Sequence, residues 1–144
     1  MARVLLACGL VAMLTACGGG TAGEVAAPEV IDFKAAVEVS PTQPVAGRRV
    51  SFTLELKSGC NKRQETDIVL RVESQDGTRV MYQETWDAVD FDPAEVWNLT
   101  QGFVADTDPG KQTWRVRIVV KDHGTGLVLH EEDAARVNFT GTAL

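Results

Sequence analysis

Cys17 stands where residue type and spacing prescribe a chemistry most clearly in this 144-residue chain. It closes Leu14-Thr15-Ala16-Cys17, follows the apolar run Val4–Leu14 behind Arg3, and precedes Gly18-Gly19-Gly20. Small residues next to a cysteine suit cleavage before Cys17. Its thiol, beside the cleavage site, is expected to take a diacylglyceryl group, and its freed amine a second acyl chain. One chain holds a bilayer only marginally, whereas two or three anchor stably. The apolar run is eleven residues long, short of the roughly 20 needed to span a bilayer. It is therefore expected to be a signal removed before folding. An ordinary secretory signal with an incidental cysteine, or an uncleaved anchor, are the competing readings.

The remaining reactive side chains form weaker constellations. His130-Glu131-Glu132-Asp133 groups an imidazole with three carboxylates. It could hold a divalent cation, or be a charged strand edge that resists aggregation. Asp87, Asp90 and Asp92 make a second acidic group, and Asp106 with Asp108 a third, without the ordered Asp-x-Asp-x-Asp-Gly loop of a calcium site. There is no Gly-x-Ser-x-Gly nucleophile motif, and the two histidines, His123 and His130, both lie near one C-terminal hairpin. No catalytic residue, metal ligand or cofactor is assigned on these grounds. Trp86 and Trp97 flank the acidic stretch Asp87–Glu95, which holds Phe91. Exposed, these rings form an aromatic and acidic patch suited to protein or glycan contact; buried, they pack beneath it. Trp114 opens the most apolar stretch and is expected in the core.

Composition narrows the field. Cleavage after residue 16 leaves 128 residues, enough for one domain. Loss of Arg3 takes the formal charge from −6 to −7. An acidic domain without a basic patch argues against nucleic acid as a partner, and gives little attraction to anionic headgroups. The membrane is expected to be a partner through lipid on Cys17 alone. Of three cysteines, Cys8 leaves with the signal and Cys17 is acylated. Cys60 is left without an intramolecular partner, as a reactive or an inert thiol.

These groups need elements to hold them. Residues 1–16 read as signal, 17–29 as lipidated cysteine and flexible tether, and 30–144 as one domain. As a coil, Gly18–Pro28 reaches roughly 15–20 Å. Beyond it the hydrophobic period is two. Ile31–Val39 is a first strand, and Val50, Phe52, Leu54 and Leu56 alternate with polar residues in a second. Ile68, Leu70 and Val72 mark a third strand, turned at Gln75-Asp76-Gly77-Thr78 into Arg79–Trp86. Asp87–Pro93 reads as a loop and Glu95–Val104 as a strand. Trp114, Val116, Ile118 and Val120 follow, then a hairpin at His123–Gly126. Leu127–Leu129 leads back, and Ala135, Val137 and Phe139 mark a last strand. Seven or eight short strands without a helical pattern predict an all-β, antiparallel immunoglobulin-like sandwich, with a small barrel as the alternative.

Residues 37–139 resemble the immunoglobulin-like or fibronectin-like modules attached to bacterial secreted glycoside hydrolases. The pieces that carry this are Val39-Ser40-Pro41, Val45-Ala46-Gly47, Val50-Ser51-Phe52, Val72–Gly77, Pro109-Gly110 and Thr113–Ile118, with Ala134-Ala135 ahead of Phe139. With the Cys17 motif, the chain resembles a bacterial lipoprotein bearing such a module. The resemblance implies the fold; the anchor motif and the missing catalytic set lead to the expectation of a non-enzymatic envelope protein whose partner is another envelope protein or a glycan, with protease inhibition a further alternative. Related modules carry aromatic residues near the last hairpin, where Asp122–Asp133 has no Trp or Tyr. Gly18 rather than Asp after the lipidated cysteine implies the outer membrane, where the host has two.

Overall fold

The computed structural model describes residues 27–141. The signal, Cys17 and most of the tether lie outside the described residues. Seven strands form: β1 (Phe33–Ser40), β2 (Arg49–Ser58), β3 (Gln64–Ser74), β4 (Val80–Phe91), β5 (Val96–Val104), β6 (Trp114–Asp122) and β7 (Val128–Val137). They make two antiparallel sheets, β1-β2-β5 and β4-β3-β6-β7. The all-β sandwich expected from the alternation is thus observed, and the barrel is not.

Period-two sequence does the sorting. In β2 the side chains of Val50, Phe52, Leu54 and Leu56 are buried and those between them lie toward solvent. Ile68, Leu70 and Val72 of β3 oppose Val120, Ile118 and Val116 of β6, so the two central strands of the larger sheet supply one wall of the core. Phe33, Phe52 and Phe103 from the smaller sheet supply the other. Trp114 is fully buried, as expected, and its indole N–H donates to the Pro109 carbonyl at 3.2 Å.

Two sequence expectations need correction. Asp87–Pro93 is not all loop, because β4 runs on to Phe91. A bulge permits this: Thr66 pairs with Val89 and Ile68 with Trp86, so Asp67 faces two residues. Ala88 takes a φ of 53° there, and its N–H donates to the Asp67 carboxylate at 2.9 Å. The extra residue reverses the alternation, which is why the strand read as ended. Leu127–Leu129 and Ala135–Phe139 are likewise not two elements. β7 is one strand with register shifts opposite Val116/Arg117 and Val120/Lys121, and each shift resets side-chain parity. Phe139 lies beyond its end, packed against the core.

Asp76 caps the β3–β4 turn, where Gly77 adopts a φ of 73°. Its carboxylate accepts from the Ser74 hydroxyl at 2.6 Å and from the Thr78 amide at 3.0 Å. These bonds hold its pKa down to about 2.

The chain enters the sandwich beside the 59–63 loop. Gly59 N–H donates to the Asp32 carbonyl at 2.8 Å, and the Asn61 side chain donates to the Pro28 carbonyl at 2.9 Å. The loops 92–95 and 123–127 lie at this same end, because the antiparallel strands alternate direction. The 41–48, 75–79 and 105–113 loops lie at the other.

Candidate functional site

Trp86 and Trp97 come together across the open side of the sandwich. β4 and β5 are edge strands of opposite sheets. Trp86 projects inward from β4 and Trp97 from β5, and their rings meet edge-on with centroids 5.4 Å apart. Both are half-buried against the core. Phe91 does not join them. Its ring is 0% exposed and packs edge-on against Phe33 at 5.5 Å, so it is a core residue and presents nothing to a ligand.

The seam holds further groups that sequence reading missed. Tyr82, Glu84 and Trp86 share one face of β4, and Trp97, Leu99, Gln101 and Phe103 one face of β5. The Gln101 amide donates to the Tyr82 hydroxyl at 3.0 Å, which in turn donates to Glu84 at 3.1 Å. Tyr82 stacks on Phe103 at 5.0 Å, and burial raises its pKa. The strip therefore offers two half-exposed indoles beside a hydrogen-bonded Gln-Tyr-Glu row. Strand parity was the available signal, since 82, 84 and 86 alternate in phase. It needed the pairing of β4 beside β5, which the sequence does not state.

Most members of the acidic constellations make structural bonds. Arg115 and Arg117 on the outer face of β6 both reach Glu73, at 2.7 and 3.6 Å, and Glu73 is only 4% exposed. Arg117 also pairs with Glu131, and Arg115 with Asp133 at 3.6 Å. His130 lies 2.8 Å from Glu132, whose other oxygen accepts the Ala35 amide of β1 at 3.2 Å. The His130–Asp133 segment thus sits on an edge strand and ties it to β1. Asp90 pairs with Arg63 at 2.6 Å and Asp106 with Arg79 at 3.5 Å. Asp92 donates its amide to Glu95 at 2.7 Å, and Asp108 accepts the Gly110 amide at 3.3 Å. Among the described residues no three His, Cys, Asp or Glu side chains converge as metal ligands.

His123 sits 2.7 Å from Asp67 and 3.7 Å from Glu65. The hydrogen bond to Asp67 raises its pKa; the Ala88 amide first, and His123 second, lower that of Asp67. Cys60 is 3% exposed. Its Sγ donates to the Asp32 carbonyl at 3.4 Å and accepts the Asp32 amide at 3.5 Å. The thiol read from sequence as lying in a polar loop thus fastens the first strand from within.

No protein-family model and no curated protein matches the chain. Solved structures do match in fold. The CARDB domain of the PF1109 protein from Pyrococcus furiosus, in complex with di-metal ions, aligns with a TM-score of 0.54 at 16% identity, over 79% of this chain and 97% of that one. The C-terminal domain of wzt aligns with a TM-score of 0.58 at 8% identity, over 81% of this chain and 78% of that one. A glycoside hydrolase family 2 beta-glucuronidase aligns with a TM-score of 0.52 at 11% identity, over 73% of this chain but only 11% of the enzyme. The seven strands and these likenesses together make the domain an immunoglobulin-like β-sandwich, similar to a CARDB domain and to one module of a larger hydrolase.

Proposed function

We propose that the protein is a lipid-anchored component of the bacterial envelope whose immunoglobulin-like domain is a non-enzymatic interaction module. The observation that carries this is Leu14-Thr15-Ala16-Cys17 behind an eleven-residue apolar run and ahead of a glycine-rich tether. The fold supports it. The domain resembles modules rather than catalytic units, covering a small part of the hydrolase it aligns with. His123, His130 and many of its carboxylates are engaged in ion pairs and turn caps. The test is processing in a bacterial host. Wild type is expected to incorporate labelled palmitate and to have its maturation blocked by globomycin, and Cys17→Ser to lose both label and membrane association. Unchanged membrane association of Cys17→Ser would refute the anchor.

A second reading, glycan contact, is favoured by the Trp86–Trp97 pair. Half-exposed indoles beside polar Gln101 and Glu84 suit the apolar face and hydroxyls of a sugar. Glycan-array binding by wild type that disappears in folded Trp97→Ala would establish it over a protein partner.

A further inference from the structure

The four edge strands are not equally protected. β1 carries Lys34 and Glu38, and its Ala35 amide is taken by Glu132 of β7. β4 carries Glu84, Asp87 and Asp90 and is broken by the Ala88 bulge. β7 carries His130–Asp133 and two register shifts. These are the usual devices against edge pairing. β5 has none of them. Its sequence, VWNLTQGFV, holds no charge and no proline, and its register with β2 is unbroken over nine pairs.

The ladder shows which backbone groups are free. At its two ends, Ala105 N–H donates to the Arg48 carbonyl and Ser58 N–H to the Glu95 carbonyl. Bonded pairs alternate along an antiparallel ladder, so Trp97, Leu99, Gln101 and Phe103 bond to β2. Val96, Asn98, Thr100, Gly102 and Val104 point their N–H and C=O groups to the open side. Among the described residues no other strand pairs there.

We propose that β5 pairs antiparallel with β5 of a second copy, about a two-fold axis at Thr100, making one continuous six-stranded sheet. The strand is complementary to itself in this register. Thr100 faces its own copy, Asn98 faces Gly102, and Val96 faces Val104. These two valines are 41% and 63% exposed, and pairing covers both. On the inner side Trp97 meets Phe103 and Leu99 meets Gln101. All five free residues of each copy are used, giving about ten interchain hydrogen bonds. No charge opposes a like charge, the usual penalty in a self-paired strand. An axis normal to the sheet keeps the inner faces of both copies on one side, as a shared core requires.

Thr100→Cys in the full-length chain tests the register directly. Opposed residues in a bonded pair lie about 5.5 Å apart at Cα, within the roughly 4.4–6.8 Å a disulfide spans. Mild oxidation in membranes is expected to convert most of the Thr100→Cys protein to a homodimer. Thr53→Cys, in the middle strand of the same sheet, is the control and stays monomeric. Thr100→Pro removes a backbone donor that β2 does not use, together with the exposed hydroxyl contact to Thr53 at 3.4 Å, a loss the monomer tolerates on an edge strand; it is expected to weaken dimerisation at least tenfold in analytical ultracentrifugation. If Thr100→Pro misfolds, Thr100→Lys and Thr100→Glu replace it: each alone weakens the dimer, and mixing them restores it. Cross-linking of Thr100→Cys no better than the control, or to a protein of another mass, overturns the proposal.

Discussion

Removing the Trp86–Trp97 contact provides a quantitative test of the seam. Replacing a fully buried Trp by Ala costs about 3–5 kcal/mol. Both indoles here are half-buried, so each Ala substitution is expected to cost about 2 kcal/mol. Their edge-on contact at 5.4 Å contributes about 0.5–1.5 kcal/mol of that beyond area. Either single substitution loses the contact, and the double loses it only once. The double variant should therefore cost about 3 kcal/mol, not the 4 of two independent sites. Urea unfolding of wild type, Trp86→Ala, Trp97→Ala and the double variant measures the cycle. At a slope of about 1.5 kcal/mol/M, each single shifts the midpoint by about 1.3 M. Coupling below about 0.3 kcal/mol, the scatter of unconnected sites, would show that the two sheets are not bridged there. The seam would then be two separate surfaces. A domain with ordinary stability of about 5–15 kcal/mol stays folded through either single change, so Trp97→Ala is also usable in binding assays.

Two other consequences follow from the titratable groups. The folded pKa of His123 lies above its ordinary 6.5 and that of Asp67 below its ordinary 3.8. By linkage, the His123 contribution is complete below pH 6.5 and is lost as pH rises through the raised value, while that of Asp67 is lost as pH falls through its lowered value. Melting temperature against pH should show this alkaline loss in wild type and not in His123→Gln, with the His123 ring titrating above pH 6.5 by NMR. Cys60, buried against Asp32, should resist a thiol reagent in the native protein and react upon unfolding in urea; rapid native labelling would contradict its placement.

Much of the fold is legible because Val50–Leu56 and Trp114–Val120 alternate without interruption, and each ends at a turn or loop. The misreadings fall where a bulge adds one residue. At Ala88 the extra amide is satisfied by Asp67, twenty-one positions away, and no local pattern announces such a partner. The same non-locality hides the site. Trp86 and Trp97 could be picked out by type, but their meeting depends on β4 and β5 belonging to different sheets. Phe91, between them in sequence, looks equivalent and is not. Its position after the bulge turns it inward onto Phe33. Cys60 was similarly masked: polar neighbours at Ser58 and Asn61–Arg63 conceal a side chain that points under β1.

The anchor and the β5 pairing, each proposed on separate grounds, constrain one another. The segment Pro28–Val30 is fastened to Asn61 and Gln64, so each tether leaves from the end carrying the 59–63 loop. Antiparallel pairing of β5 places those ends at opposite sides of the pair, separated by about the length of a strand. Twelve residues of β4 extend about 40 Å. A tether of residues 18–28 spans about 36–40 Å fully stretched and roughly 15–20 Å as a coil. If the strands stood along the membrane normal, one tether would be relaxed and the other drawn out nearly straight, at a cost in chain entropy. With the strands parallel to the bilayer, neither tether has to stretch. If both proposals hold, the pair is expected to keep its strands along the bilayer rather than across it, so that both N-termini reach the membrane.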